Sequence, residues 1–157
     1  MNESATTPNT SQPRGTRVKF SLEKQINLSS TEAWRRLVDW EGHGKWIPMT
    51  KVDVDPNDKT RFVAWTGVKP LVLEDRMHQL TENWDGTSGD SLVAKLGPVL
   101  VGEAEFSVKP GKAPDTAIVA WREDVRVPYL PRFLAPIVGW ASKQAFAFSI
   151  KKMVKKG

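Results

Sequence analysis

Two carboxylates are the residues best placed to do chemistry, because each shares a strand face with apolar side chains. In the stretch Thr116–Val127 the odd-numbered residues are mostly large and apolar, and Glu123 lies on that face. In the stretch Leu71–Glu82 the odd-numbered residues again predict the inward face, which includes Asp75. A carboxyl group in apolar surroundings is costly unless it is paired. Asp75 and Glu123 are therefore candidate catalytic residues, as a general acid or base, or candidate hydrogen-bond partners of a ligand.

A structural role for these two carboxylates is the alternative. Each could be an inward-leaning residue near a strand end, paired with an arginine or with Tyr129. His78 falls on the opposite strand face from Asp75, so no second titrating group is expected beside either carboxylate. The pattern therefore favours binding over catalysis.

Residue types exclude several other kinds of chemistry. The chain has 157 residues, no cysteine, and two histidines that lie far apart, His43 and His78. A zinc site needs about four nitrogen, sulfur or carboxylate ligands at suitable spacing. Neither a nucleophile elbow nor a glycine-rich phosphate-binding motif occurs. We expect no metal and no cofactor.

The charge balance bears on partners and location. The formal net charge is +5. Part of the excess lies in lysines near the C-terminus: Lys143, Lys151, Lys152, Lys155 and Lys156. They suit a solvated helix end, and weak contact with an anionic membrane is the alternative. Other basic residues are scattered, so no nucleic-acid partner is expected. Without a signal-peptide pattern or a transmembrane segment of about 18 apolar residues, we expect a cytoplasmic protein.

Hydrophobic periodicity predicts the elements that position these residues. Residues 1–15 are polar and contain proline, which predicts a disordered tail and leaves residues 16–157 as one domain. Alternation from Arg17 to Ile26 predicts a strand. A helix capped near Ser29 follows, ended by Gly42 and Gly44, with a second short helix or a turn before Pro48. Six more short strands between residues 51 and 127 favour an antiparallel sheet.

The last segment changes to helical periodicity. A helix is predicted from Pro136 to Lys155, with Pro136 either in its first turn or at a kink. One stripe of this helix is predicted to face the core. It comprises Leu134, Ile137, Val138, Ala141, Ala145 and Phe148.

The order of these elements and three local motifs resemble a known family. Residues 29–40 read SSTEAWRRLVDW, residues 46–48 read WIP, and residues 116–125 read TAIVAWREDV. Together they resemble the polyketide cyclase/dehydrase-type (SRPBCC) proteins of the START/Bet v 1-like superfamily, over residues 17–156. The glycine-rich loop of the plant branch is missing, since residues 55–58 read DPND. Plant-type ligand preferences are therefore not carried over.

The resemblance implies an α+β helix-grip fold. In this fold a seven-stranded curved antiparallel sheet wraps around a long C-terminal helix, with two short helices between strands 1 and 2. It also implies an internal cavity for a small hydrophobic molecule such as a lipid or polyketide. For the aromatic residues expected there, packing as ordinary core filler is the alternative and the commoner outcome. The predicted lining is Trp34, Trp46, Trp65, Leu73, Asp75, Met77, Leu100, Phe106, Trp121, Glu123, Ile137 and Ala141.

Three functions fit this interpretation. The first is binding of a small hydrophobic ligand, with or without its transport, which needs an apolar pocket with a few polar anchors. The second is a polyketide aromatase/cyclase in which Asp75 or Glu123 positions or deprotonates a poly-keto substrate. The third is a toxin-like or regulatory interaction protein with a vestigial cavity, which needs a sizeable exposed apolar patch.

Overall fold

The computed structural model describes residues 14–156 and confirms the predicted helix-grip fold. Its sheet is antiparallel throughout, with the strand order β1-β7-β6-β5-β4-β3-β2. The strands are β1 (Thr16–Ile26), β2 (Thr50–Val54), β3 (Arg61–Val68), β4 (Leu71–Trp84), β5 (Gly89–Pro98), β6 (Val101–Pro110) and β7 (Ala117–Val127). The helices are α1 (Ser30–Val38) and α2 (Ala135–Lys156), with short 3-10 helices at Glu41–Lys45 and Arg132–Leu134. Residues 1–13 of the predicted tail, and Gly157, lie outside the described residues.

Strands at the two ends of the chain are neighbours in the sheet. β1 pairs with β7 over its full length, from Thr16 opposite Val127 to Ile26 opposite Ala117. Every fourth residue of β1, beginning at Val18, is buried, as the alternating sequence predicts. β4 has register irregularities against β5, and such bulges help a sheet to bend.

The first short helix between β1 and β2 begins where predicted, but the boundary between the two helices lies elsewhere. The Ser29 side chain caps α1, accepting a hydrogen bond from the Glu32 backbone N–H at 3.2 Å. The prediction that Gly42 and Gly44 end this helix was wrong, since α1 ends at Val38. Both glycines lie in the following 3-10 helix. At the start of that helix the Asp39 carboxylate accepts a hydrogen bond from the Gly42 N–H at 3.2 Å.

The predicted helix α2 is present, but its predicted inward stripe was wrong in part: Ala145 and Phe148 border the space beneath the helix, whereas Ile137 and Ala141 do not. Its inner face carries Gly139, Phe146, Ile150 and Met153. Gly139 lies over β1, where an added Cβ would come within 3.1 Å of the Lys19 carbonyl oxygen. This close approach turns the opposite face outward. Ile137 and Ala141 are therefore exposed.

Pro136 is the second residue of α2 and so lies in its first turn. A proline is tolerated there because the first N–H groups of a helix have no partner within the helix. Among residues 14–156, no helix is long and apolar enough to cross a membrane.

The core lies between the sheet and the helices and is rich in stacked aromatic rings. Trp40 stacks on Phe62 with ring centroids 4.4 Å apart, and Phe106 stacks on Trp121 at 5.3 Å. Trp34 stacks on Trp84 at 5.1 Å and also contacts Phe106. Such offset and tilted contacts suit the charge distribution of aromatic rings. They form a rigid wall on one side of the space beneath α2.

Candidate functional site

A cavity of about 450 Å³ lies between the sheet, the 3-10 helix Glu41–Lys45 and α2. Its wall is mostly apolar, and its volume falls within the range of small-molecule sites. Side chains from β3, β4, β5, β6 and β7 form the floor, and residues between Ser142 and Ser149 of α2 form the roof. Met49, Leu73 and Phe148 line the cavity and are also more than half exposed, so they mark its opening.

Three ionisable side chains form a buried cluster on the cavity floor. The Lys95 Nζ lies 2.9 Å from Asp75 Oδ2 and 3.8 Å from Glu123 Oε1. Their side chains are 9%, 14% and 5% exposed, respectively. Two carboxyl groups thus share one ammonium group, and the formal charge is −1 when all three are ionised.

The sheet brings these residues together although they lie on three different strands. Asp75 is on β4, Lys95 on β5 and Glu123 on β7, with β6 between the last two. At that place β6 presents Gly102, opposite Lys95, and Ala104, opposite Glu123. Because neither has a long side chain, the lysine can extend across β6 and reach the Glu123 carboxylate.

The pKa of Lys95 is raised by this arrangement. Burial alone would lower it, since an ammonium group loses its hydration. The attraction of Glu123 and Asp75, with the hydrogen bond to Asp75, outweighs that loss. Lys95 is therefore a fixed cation between two carboxylates rather than a neutral amine.

The two carboxylates differ in how well they are hydrogen-bonded. Glu123 Oε1 accepts a hydrogen bond from Trp121 Nε1 at 3.2 Å, in addition to its pairing with Lys95. Asp75 Oδ2 accepts from Lys95 at 2.9 Å. Asp75 Oδ1 is fully buried and accepts nothing. Within residues 14–156 it is the one buried side-chain nitrogen or oxygen atom without a partner.

His43 lines the cavity from the 3-10 helix and is neutral at pH 7. Its Nε2 lies 2.7 Å from the Leu37 carbonyl oxygen and donates to it, because a carbonyl can only accept. Burial lowers the pKa of His43 to about 4.

A second set of polar side chains beside the cavity forms a chain of hydrogen bonds. Trp40 Nε1 donates to Gln79 Oε1 at 3.3 Å, and Gln79 Nε2 donates to Ser91 Oγ at 3.0 Å. Ser91 in turn donates to the Thr81 carbonyl oxygen at 2.8 Å.

The structure brings many of the predicted cavity residues together. Those that line the cavity are Leu73, Asp75, Met77, Leu100, Phe106, Trp121 and Glu123. Their placement on one wall follows from strand parity, as the sequence predicts. Contact of any of them with a ligand stays a prediction.

The other predicted lining residues lie elsewhere, for identifiable reasons. Trp34 and Trp46 are buried in the packed core beside the cavity. Trp65 faces away because Phe62 and Ala64 set the inward parity of β3, and its Nε1 donates to Asp53 Oδ2 at 3.2 Å. Ile137 and Ala141 are on the outward face of α2 described above.

Lys95 is the residue that the sequence prediction missed. An arginine or Tyr129 was expected as the partner of the carboxylates, but Tyr129 is fully exposed and Lys95 takes that place. The expectation of no second titrating group beside Asp75 or Glu123 was therefore wrong. Parity offered no clear signal, because Lys95 shares its strand face with Ser91 and Val93, whereas the opposite face carries Leu92, Ala94 and Leu96.

Comparison with known sequences assigns the chain to a family. The sequence profile described as "Polyketide cyclase / dehydrase and lipid transport" matches residues 17–157. The chain belongs to this family, and the resemblance to polyketide cyclase/dehydrase-type (SRPBCC) proteins is confirmed. No curated protein sequence matches it significantly.

Solved structures share the fold at low sequence identity. The protein XoxI from Bacillus cereus has a TM-score of 0.70 at 11% identity, over 88% of this chain and 94% of that one. A START superfamily protein from Mycobacterium smegmatis gives 0.65 at 14% identity, over 87% and 94%. The Zhui aromatase/cyclase from a Streptomyces species gives 0.67 at 8% identity, over 88% and 92%. The fold is thus the START/polyketide cyclase-like fold, which is a hydrophobic ligand-binding fold.

Proposed function

We propose that this protein binds one small hydrophobic molecule in the cavity between the sheet and α2. The observation that carries the proposal is an apolar cavity of about 450 Å³ with few polar groups, which is the usual construction of a ligand site. An apolar molecule gains free energy there by leaving water. Family membership supports the same function.

A substitution that fills the cavity tests this proposal. Ala64 on β3 is buried and points into the cavity, so Ala64→Phe would place a ring in the ligand's space. Ala94→Phe is the matched control, because Ala94 lies on the outer face of β5. We expect a fluorescent polycyclic probe such as pyrene to bind wild type and Ala94→Phe with one-to-one stoichiometry. Ala64→Phe should bind it at least tenfold more weakly, while circular dichroism shows both variants folded. Equal binding by both variants would place the probe outside the cavity.

Catalysis as an aromatase/cyclase is a second candidate, favoured by one specific observation. Asp75 lines the cavity beside Lys95 and Glu123, so its carboxylate could accept a proton from a bound substrate. Turnover separates this function from binding alone. If Asp75 is a general base, wild type will cyclise a poly-keto thioester, and Asp75→Asn will lose that activity while still binding the substrate. A binder shows no turnover in either form.

We also propose that the outward face of α2 contacts an anionic membrane, which would allow the ligand to be transported. Ile137, Trp140 and Phe148 lie on this face and are each more than half exposed. Phe148 also lines the cavity opening, so the exposed patch is continuous with the ligand's entrance. Aromatic side chains beside lysines suit the boundary between lipid and water.

Charge favours a membrane over a protein partner for this face. The chain has no acidic residue after Asp124, whereas Lys143, Lys151, Lys152 and Lys155 all lie on α2. Each lysine near an anionic surface contributes about 1 kcal/mol of attraction.

Vesicle sedimentation tests the membrane contact. We expect binding to phosphatidylserine-containing vesicles, weaker binding to phosphatidylcholine alone, and loss of binding in Trp140→Ser. Leu80→Ser is the control, since Leu80 is a similarly exposed apolar residue on β4. If Trp140→Ser binds as wild type does, the α2 face is not the contact surface. A stable dimer lost in Trp140→Ser would instead identify a second copy of the chain as its partner.

A further inference from the structure

The connections at the two ends of the sheet differ in character. Asp75 lies opposite Pro98, and Val101 lies opposite Arg126, which places three connections at the same end. They are the β3–β4 hairpin tip (residues 67–73), the β5–β6 hairpin tip (residues 96–101) and the β7–α2 connection (residues 128–134). We call this the open end, because Leu73, at the mouth of the cavity, belongs to it.

The open end exposes a cluster of apolar side chains. Leu71 is 79% exposed, and Tyr129 and Phe133 are also largely in solvent. The tips of the two hairpins add Val68, Leu96 and Val101. An exposed apolar surface of this extent, beside a cavity mouth, marks a place where another molecule is contacted.

Backbone conformation supports the same conclusion. Met49 and Tyr129 have left-handed backbones, with φ of 54° and 63°, which is unfavourable for residues other than glycine. Both side chains are exposed, and Met49 joins the open end because its carbonyl accepts a hydrogen bond from the Gly67 N–H at 2.9 Å. Strained residues that hold apolar groups in water are typical of functional surfaces.

The opposite end of the sheet shows that this exposure is not a general property of the turns. Its turns are residues 55–60, 85–88 and 111–116, which contain Asp55, Asp58, Asp85 and Asp115. Within residues 14–156, none of these three turns exposes a large apolar side chain. The domain is therefore polar and acidic at one end and apolar at the other.

Charge identifies a lipid bilayer as the partner of the open end. Its three connections contain Lys69 and Arg132 but no acidic residue. Two copies of this end would bring like charges together, whereas anionic lipid head groups attract both residues. Apolar and aromatic side chains flanked by basic residues are typical of segments that enter the boundary between water and lipid.

We propose that the β3–β4 and β5–β6 hairpin tips insert into a lipid bilayer, so that the mouth of the cavity opens onto its hydrocarbon. This inference rests on the proposed binding function and membrane contact. It adds to the α2 face a second, inserted surface and fixes the orientation of the domain on the membrane. A hydrophobic ligand would then pass between bilayer and cavity without entering water, which is the costly step for such a molecule.

A single labelled cysteine measures the insertion, since the chain has no cysteine of its own. Leu71→Cys carries a nitrobenzoxadiazole label on the β3–β4 tip, and Ala113→Cys carries it in the exposed β6–β7 turn at the opposite end. With vesicles of phosphatidylcholine and phosphatidylserine, emission of the Leu71→Cys label should increase and shift to shorter wavelength. Lipids with nitroxide groups in their acyl chains should quench it. The Ala113→Cys label should show neither change.

A polar substitution at the same tip gives an independent readout. Leu71→Ser should bind these vesicles about tenfold more weakly than wild type, because one leucine side chain no longer leaves water. Leu80→Ser, which changes an exposed leucine away from the tip, should bind as wild type does. Both variants should bind pyrene in solution with wild-type affinity, because neither side chain lines the cavity.

The possible outcomes separate this inference from the proposed function. If wild type sediments with vesicles but the Leu71→Cys label does not change, insertion is overturned and contact through α2 stands. Wild-type vesicle binding by Leu71→Ser also overturns it. A dimer in solution that Leu71→Ser abolishes would make a second copy of the chain the partner and contradict the assignment to lipid. If wild type binds pyrene but no vesicles, the membrane contact and this inference both fail while the cavity function stands.

Discussion

Removing the Lys95 ammonium group should destabilise the fold far more than removing an ordinary surface lysine. In Lys95→Met the packing of the aliphatic chain is largely kept, but the carboxyl groups of Asp75 and Glu123 lose their shared cation. Breaking a buried ion pair from one side costs about 3–5 kcal/mol, because the remaining charge is left unpaired. For a domain of this size that corresponds to a fall in melting temperature of about 10 °C.

Lys51→Met is the matched control for this prediction. Lys51 pairs with Asp53 at 3.3 Å, but its side chain is 76% exposed, compared with 9% for Lys95. An exposed pair contributes about 0–1 kcal/mol, so this variant should melt close to wild type. Urea denaturation at pH 7 measures the free energy of unfolding of both proteins.

A charge-neutral triple variant shows where the lost stability comes from. In Asp75→Asn, Lys95→Met, Glu123→Gln no unpaired charge remains, so most of the loss should be recovered. The reasoning is refuted if Lys95→Met unfolds within about 1 kcal/mol of wild type, since the cluster would then be hydrated. It is also refuted if the triple variant is less stable than Lys95→Met.

Two further predictions concern pH and the seating of α2. Because burial lowers the pKa of His43 from 6.5 to about 4, the unfolded chain takes up a proton below about pH 6.5 that the folded chain does not. The free energy of unfolding should fall by about 1 kcal/mol per pH unit between pH 6 and pH 4 from this group, and His43→Gln should lose that part of the slope in urea titrations. Gly139→Leu should lower the stability by about 1–3 kcal/mol, because its side chain meets the Lys19 carbonyl, whereas Ala141→Leu on the exposed face should change it little in thermal melts. Equal melting temperatures for the two leucine variants would contradict the orientation of α2.

Much of the fold could be predicted because several strands, β1 and β7 above all, keep a period of two. β1 alternates buried and exposed residues, and β7 buries each odd position from Ala117 to Val125. Parity on β7 and β4 therefore predicts that Glu123 and Asp75 lie on the inner face.

The partner of these carboxylates could not be found in the same way. In β5 the apolar residues Leu92, Ala94 and Leu96 form the face that points away from the core, while Lys95 points inward. The inner face of β5 near Lys95 borders a cavity with a polar cluster rather than a packed core. The alternation of apolar and polar residues along β5 therefore points to the wrong face as the inner one. Only the spatial arrangement of β4, β5 and β7 shows that Lys95 lies between two acids.

The orientation of α2 was missed for a related reason. Both faces of this helix are apolar in its first half, so a hydrophobic stripe does not distinguish the inside from the outside. Gly139 was the informative residue, because a glycine within a helix often marks close approach to a neighbouring element. The aromatic residues left outside, Trp140 and Phe148, form the face that we assign to membrane contact.

Native mass spectrometry of protein purified without detergent tests the central claim most directly. Binding of one small hydrophobic molecule in the cavity predicts that wild type retains a single ligand from its host, or takes up one molecule of pyrene when incubated with it. Ala64→Phe, whose added ring fills the cavity, should appear only at the mass of the bare chain. Bare-chain masses for both proteins after incubation with the probe, or equal uptake by both, would contradict the account.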